Sequence, residues 1–494
     1  MTELYGAMAR GAVWLTALRL SERALGLANT VVLARLLAPQ DFGLVAMCMV
    51  VVAALETFTN FSFDVVLIQR QDATKAHYDT AFTMNVIVGA GFGAILAASA
   101  TFVAAFYGDE RLQLIMYIVA ANFAVRSLEN IAIVDFRKHF QFHLEAILRL
   151  SVKAVGLLVA IPAALILHNY WALVIGMSAM AAFDVVLSFA MRPYRPSLTL
   201  SQARSIMSFS GWLMLNNVVF FLKAQIHNVF IGRLLGARDL GTFNMANEVA
   251  MMSSSELVAP INRAVYPGYA KLGGDPESLK ATFLDVFSLI MMISFPAALG
   301  TVAVANDLAP LLLGSSWTNT IPLMKLIAIC GALNALNSNM AYVVHAVGKP
   351  RLATRVAVTE AVIMIPLMYM SILRWGLVGA GWSLVAAYGF VSTPMWWRTI
   401  TRLLDLPVTQ LLARVWRPLV ASVSMYFAVL AIQLTLGSQT QGFVVVLISV
   451  VVGAVAYVTL LFFFWLLADR PRGGEAIVVA FLRERAGRAF LPST

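Results

Sequence analysis

Two arginines one turn apart, Arg19 and Arg23, stand in an otherwise apolar stretch near the N-terminus. At helical spacing Ala12, Thr16, Arg19, Arg23, Gly26 and Thr30 share a stripe about 80° wide, and the rest of that helix is largely Trp, Leu, Val and Ala. A guanidinium fork matches the paired oxygens of a phosphate, so a stripe with two forks suits the wall of an anion-binding cavity. The competing account is an Arg19–Glu22–Arg23 cluster that only packs helices. A second such face comes far later in the chain. Asn216, Lys223 and His227 lie within about 40° of one another on a helix. Asn217, Gln225 and Asn228 add amide donors and acceptors of the kind that hydroxyl-rich ligands use. For His227 a packed, hydrogen-bonded core position is the alternative. Glu56, Glu248 and Asp285 are carboxylates in or beside apolar runs, where a buried acid can take up a proton or Na⁺. Structural ion pairing competes with that role at each of them. Arg126 with Glu129, Lys153, Asp184, Glu256, Lys325 and Glu360 are further charges in or near apolar runs, many close enough to an end to snorkel.

Such side chains need a frame, and composition says which. Of 494 residues 60% are hydrophobic and 12% charged, against about 25% charged in an ordinary soluble chain. Only a bilayer accommodates so much apolar surface outside a core. A window of about 20 residues gives fourteen spans: roughly 11–34, 41–63, 80–106, 112–134, 146–167, 170–191, 208–232, 240–262, 281–305, 321–345, 353–373, 377–397, 416–436 and 442–467. The first is the least apolar. It lacks a small-residue cleavage site and is too long for a removable signal. No period-2 pattern of a membrane barrel is present. Pro162, Pro296, Pro366 and Pro394 interrupt spans, and the Gly89–Gly93 spacing allows close helix contact.

The net charge of +10 is an orientation signal rather than a nucleic-acid footprint. With the N-terminus in the cytoplasm, 24 of the 35 Lys and Arg fall in inner segments and five, Arg35, Arg111, Arg233, Arg238 and Arg374, in outer loops. The alternation holds loop by loop and places both termini inside. Cys48 and Cys330 lie inside apolar runs and give no disulfide framework or metal cluster. No Walker A motif occurs, so ATP does not drive the protein directly.

The chain repeats itself. LARLLAPQDFGLVAM (33–47) aligns with IGRLLGARDLGTFNM (231–245), with Arg35/Arg233, Leu36/Leu234, Leu37/Leu235, Asp41/Asp239, Gly43/Gly241 and Met47/Met245 identical. A weaker echo pairs 115–132 with 324–341. Two six-span halves, 1–196 and 197–400, follow, with a terminal helix pair at 401–468 and a basic cytoplasmic tail at 469–494. Six is even, so the repeat is parallel, an arrangement that places a substrate site between the halves. The tail alternates Ile477, Val478, Phe481 and Leu482 with Arg483, Arg485 and Arg488, a pattern for the anionic inner leaflet or for a disordered tail.

The first copy of the repeat, VLIQRQD (66–72), INRAVYPGYAKL (261–272) and LLLGSSWTNTIPLMKLIAICGAL (311–333) resemble the polysaccharide transporter family of the multidrug/oligosaccharidyl-lipid/polysaccharide exporter superfamily. The resemblance spans nearly the whole chain and is nearest to bacterial exporters of exopolysaccharide, colanic-acid-type and O-antigen repeat units. It implies an all-α integral membrane protein of about fourteen transmembrane helices, with two six-helix lobes in a pseudo-twofold arrangement. It also implies alternating access in the bacterial inner membrane and a polyprenyl-diphosphate-linked oligosaccharide as cargo. Coupling to H⁺ or Na⁺ is expected, no cofactor is, and a polysaccharide polymerase and chain-length machinery are the expected partners alongside membrane lipids. A cation-coupled drug exporter of the same superfamily is the alternative, but it would carry few cations in its cavity. A membrane polymerase would need a sizeable outer loop, and the longest, about Asn306–Thr320, has Asp307 as its only acid.

Overall fold

A computed structural model describes residues 2–59, 63–70, 72–203, 213–252, 255–436 and 442–489. They form helices, with no strand among the described residues. The first eight helices are α1 (Thr2–Leu36), α2 (Pro39–Thr59), α3 (Phe63–Gln69), α4 (Lys75–Tyr107), α5 (Arg111–Arg126), α6 (Val134–Lys138), α7 (Phe142–Leu167) and α8 (Trp171–Met191). Then come α9 (Leu213–Leu235), α10 (Ala237–Met252), α11 (Ser255–Lys271), α12 (Pro276–Leu313) and α13 (Thr320–Ala346). The last five are α14 (Pro350–Ala386), α15 (Thr393–Leu403), α16 (Val408–Leu436), α17 (Gly442–Leu467) and α18 (Gly474–Ala489).

Among the described residues nine helices are long and apolar enough to cross a membrane, or ten if the bent pair Arg111–Arg126 and Ile131–Lys138 is one span. One of the nine, Pro350–Leu403, covers two expected spans; Gly376, at φ 57°, interrupts the helix between them. The remaining difference from fourteen lies in α1, α9 and the α10–α11 pair, which match the first, seventh and eighth expected spans. α1 carries Arg19, Glu22 and Arg23 and α9 carries Lys223, which lower their apolarity, while α10 and α11, at 16 and 17 residues, are each too short to cross alone.

The chain forms two compact units, Met1–Gly241 and Thr242–Thr494. In the first unit α9 packs against α2 and α4. Within that unit α7 packs on α8, α4 on α5 and α1 on α7. The Gly89–Gly93 spacing does what it suggested. A Cβ on Gly89 would lie 2.0 Å from that of Ser127, and one on Gly93 would lie 3.0 Å from the Ala120 carbonyl oxygen. The start of α2 meets the start of α10 in the same way, twice over. A Cβ on Gly43 would lie 1.7 Å from the Ala237 carbonyl oxygen, and one on Gly241 would lie 1.8 Å from the Pro39 carbonyl oxygen. Pro39 and Ala237 are also equivalent in the repeat, so the two copies of the motif dock on each other reciprocally.

The segment after α8 is stitched to α4. Asp79 accepts hydrogen bonds from Lys75 Nζ (2.8 Å), Tyr194 OH (2.5 Å) and Ser197 N (3.2 Å) and Oγ (2.5 Å). Burial, with that bond to Asp79, pushes the Tyr194 phenol above its ordinary range. At the other end of α4, the Arg111 guanidinium holds the Asp109 carboxyl below the usual carboxylate range through bonds of 2.9 and 2.6 Å.

The second unit has a core of Phe283, Phe287 and Ile290 from α12, Met340 and Val343 from α13, Val356 from α14, Ile400 from α15 and Leu411 from α16. Its tail is docked. Glu475, with no exposed surface, accepts from Arg417 Nε at 2.9 Å, and Arg417 is 3% exposed. Gly474 N donates to Ser288 Oγ at 3.0 Å, and a Cβ on Gly474 would lie 3.0 Å from the α12 backbone at Leu289. The tail therefore starts as a helix fixed to the bundle at Gly474 and Glu475.

Candidate functional site

A cavity of about 560 Å³ lies in the first unit, lined by charge. Glu56 comes from α2, Asp64 from α3, Arg126 from the end of α5, Arg137 from α6, and Glu145 and Arg149 from α7; Asn85 and Glu129 also face it. It exists because the fourth span breaks. The helix stops at Arg126 and resumes at Ile131, bent by 62°. Backbone groups freed at such a break must find partners or face a cavity. Asn130, fully buried, supplies partners. Its Oδ1 accepts from Ala132 N at 2.9 Å, and its Nδ2 donates to the carbonyls of Ser188 (3.2 Å) and Arg192 (2.6 Å). Broken membrane helices are where transporters commonly hold ions and polar substrate groups.

On α7, Glu145, Arg149 and Lys153 recur every four residues, one face climbing about 12 Å. Each has partners from other helices. Glu145 Oε1 accepts from Arg137 Nε at 2.8 Å, and Arg137 Nη1 also reaches Asp64 at 3.3 Å. Arg149 Nη1 lies 3.2 Å from Glu129 Oε1 and 3.5 Å from Asp184 Oδ2. Lys153 Nζ lies 4.0 Å from Glu22 of α1. Asp184 is 4% exposed and Glu145 6%, and Asp184 Oδ1 and Glu145 Oε2 are buried without a hydrogen-bond partner. Arg126 is exposed on the cavity and has no hydrogen bond or ion pair among the described residues.

Of the residues singled out in the sequence, the cavity takes in Glu56, Arg126 and Glu129. Arg19 is exposed on α1 and Arg23 half-buried there, outside the cavity lining. His227 and Glu248 are half-buried on α9 and α10 and also lie outside it. The side chains of Thr16, Asn216 and Lys223 lie outside the described residues. Asp285 lies 4.0 Å from Arg414 Nη2, which makes it an ion-pair member next to the docked tail rather than a lone buried acid. The Glu145–Arg149–Lys153 stripe was missed, although its spacing of four was visible. So was the part played by Asn130, a residue type that closes local turns.

Helices without strands, apolar enough to cross a bilayer many times, and a charged cavity at a broken span define a multi-pass membrane protein with polar chemistry inside a helical unit. The family described as polysaccharide biosynthesis protein matches residues 32–322, more than half the chain, and the chain belongs to that family. It is similar to the lipopolysaccharide biosynthesis protein WzxC of Escherichia coli (strain K12), 24% identical over 75% of this chain and 76% of that one. It is also similar to the succinoglycan biosynthesis transport protein ExoT of Rhizobium meliloti (strain 1021), 22% identical over 60% and 61%. Among solved structures, the lipid II flippase MurJ in an inward closed conformation has a TM-score of 0.71 at 12% identity, over 93% of this chain and 100% of that one, a likeness of fold.

Proposed function

We propose that the protein carries polyprenyl-diphosphate-linked oligosaccharide repeat units, or nascent polymer, across the bacterial inner membrane for exopolysaccharide or lipopolysaccharide synthesis. Alternating access coupled to H⁺ or Na⁺ moves the cargo, both termini face the cytoplasm, and a polymerase with its chain-length machinery takes over the product. Family membership and the transport role in a relative's name support this reading. The observation that carries it is Arg126, a guanidinium on a membrane cavity with no ion pair among the described residues. A guanidinium inside a membrane protein that makes no hydrogen bond or ion pair of its own is open to an incoming anion, and a diphosphate is such an anion. Arg149 and Arg137 stand on the same wall. A drug exporter would present few cations there, whereas three guanidiniums face this space together with four carboxylates. Arg19, Arg23 and Thr16 on α1 and Asn216, Lys223 and His227 on α9 are proposed as a further polar surface for the glycan and its diphosphate. Glu56, Glu248 and Asp285 are kept as coupling carboxylates.

The test is polysaccharide export normalised to protein in the membrane. A hydrogen bond to a charged group is worth about 1.5–3 kcal/mol, so Arg126→Gln is expected to weaken cargo binding roughly tenfold or more. Arg126→Lys keeps the charge without the fork and should retain part of the export. Full export by Arg126→Gln would remove the cavity from the cargo path.

A further inference from the structure

Arg149 is shared. Two carboxylates, half-buried Glu129 of the break and buried Asp184 of α8, approach the same Nη1 at 3.2 and 3.5 Å, and Asp184 keeps an oxygen with no hydrogen-bond partner. With Arg126 beside them the group holds two guanidiniums and two carboxylates, so it is neutral while the cavity is empty. The neighbouring charges do not add a free cation to it. Glu22 of α1 lies against Lys153, and Arg137 is held by Glu145 and Asp64. Glu56 on α2 adds a further acid, and Asn85 of α4 is neutral.

We infer that Glu129 and Asp184 form a proton site that competes with the anionic cargo for Arg149. The inference rests on the anion-binding reading of the cavity. A diphosphate entering beside Arg126 brings at least two negative charges into a space walled by apolar helices, where charge is weakly screened. The guanidiniums turn to it, and the two carboxylates are left as like charges on one site. Such a pair holds a proton in common rather than ionising twice. Protons therefore enter with the cargo and leave with it. Binding linkage is reciprocal, so protons must tighten anion binding by the same factor by which the anion tightens proton binding. Each exchange is a proton transfer from solvent to a carboxylate oxygen, with no other bond made or broken.

The probe is inorganic diphosphate, titrated into the purified full-length protein by calorimetry in buffers of different ionisation enthalpy. Uptake of about one proton or more per diphosphate is expected, with affinity falling about tenfold per pH unit for each proton taken up. Glu129→Gln with Asp184→Asn should still bind diphosphate but lose both the uptake and the slope. Lys153→Gln, one turn further along the same face, should keep them. Diphosphate binding with no proton uptake and a flat pH profile would overturn the inference and leave the anion site standing. Absence of diphosphate binding at every pH would instead overturn the anion site, and the inference with it.

Discussion

Arg149 pairs with acids from the α5–α6 break and from α8, so its loss and its conservative replacement should differ sharply. Arg149→Leu leaves Glu129 and Asp184 facing each other without a cation. Stripping one partner from a fully buried ion pair costs about 3–5 kcal/mol; this half-buried cluster should lose less, and the thermal midpoint of the detergent-purified protein should drop. Arg149→Lys keeps the charge and should recover part of that loss. Asn130 answers a different question, because it binds backbone rather than charge. Asn130→Ala removes one acceptor and two donor bonds at the break. Each unsatisfied buried group costs about 1–3 kcal/mol, so a midpoint well below the wild type is expected, together with loss of export, since the break positions Arg126 and Glu129. An unchanged midpoint would mean that the bend is held by packing alone.

At the scale of elements, two close contacts make opposite demands on a methyl group. Gly43→Ala and Gly241→Ala each place a Cβ inside 2 Å of a carbonyl oxygen, so α2 and α10 must part; both variants should be destabilised, and by similar amounts, because the contact is reciprocal. Gly26→Ala is the control. Nothing lies within 4 Å of its Cβ, and alanine favours a helix by about 0.5–1 kcal/mol, so stability should hold or rise. The docked tail is tested by removal. Truncation after Arg472 strips Glu475 from Arg417, which is 3% exposed, and should cost about 3–5 kcal/mol, whereas Arg417→Met with Glu475→Leu should come closer to the wild type. These elements also show what was legible in the sequence. The Gly89–Gly93 pair and the repeated motif were visible as spacing and identity. That the two motifs touch was not, since periodicity within a helix says nothing about which helix ends meet. The break at Ser127–Asn130 was hidden because hydropathy averages over it, and a smooth apolar run reads as one helix. Arg149 looked like a connector charge near the end of a span; its partners lie 20 and 35 residues away in sequence and become neighbours only through the packing of α5, α7 and α8.

For the whole molecule, the charge asymmetry of the connectors predicts an orientation that fusions can check. Reporters placed after Arg195, Lys271, Arg351 and the C-terminus should all read cytoplasm, and a signal from the far side at any one would break the fourteen-span count, which the polar helices α1, α9 and α10–α11 must complete. The family and the membrane fold were readable early because composition and motif order carry them. The cavity was not, because it is made by charges whose partners come from five different helices. The central claim is that the protein moves a lipid-linked glycan across the membrane, and it is tested most directly by deleting the gene, restoring it on a plasmid, and measuring both the polysaccharide outside the cell and the lipid-linked precursor within the membrane. The account predicts that deletion abolishes or sharply reduces the polysaccharide while precursor accumulates, and that the wild-type gene, but not its Arg126→Gln variant, reverses both. Normal polysaccharide with no precursor build-up, and a changed tolerance to drugs instead, would contradict it.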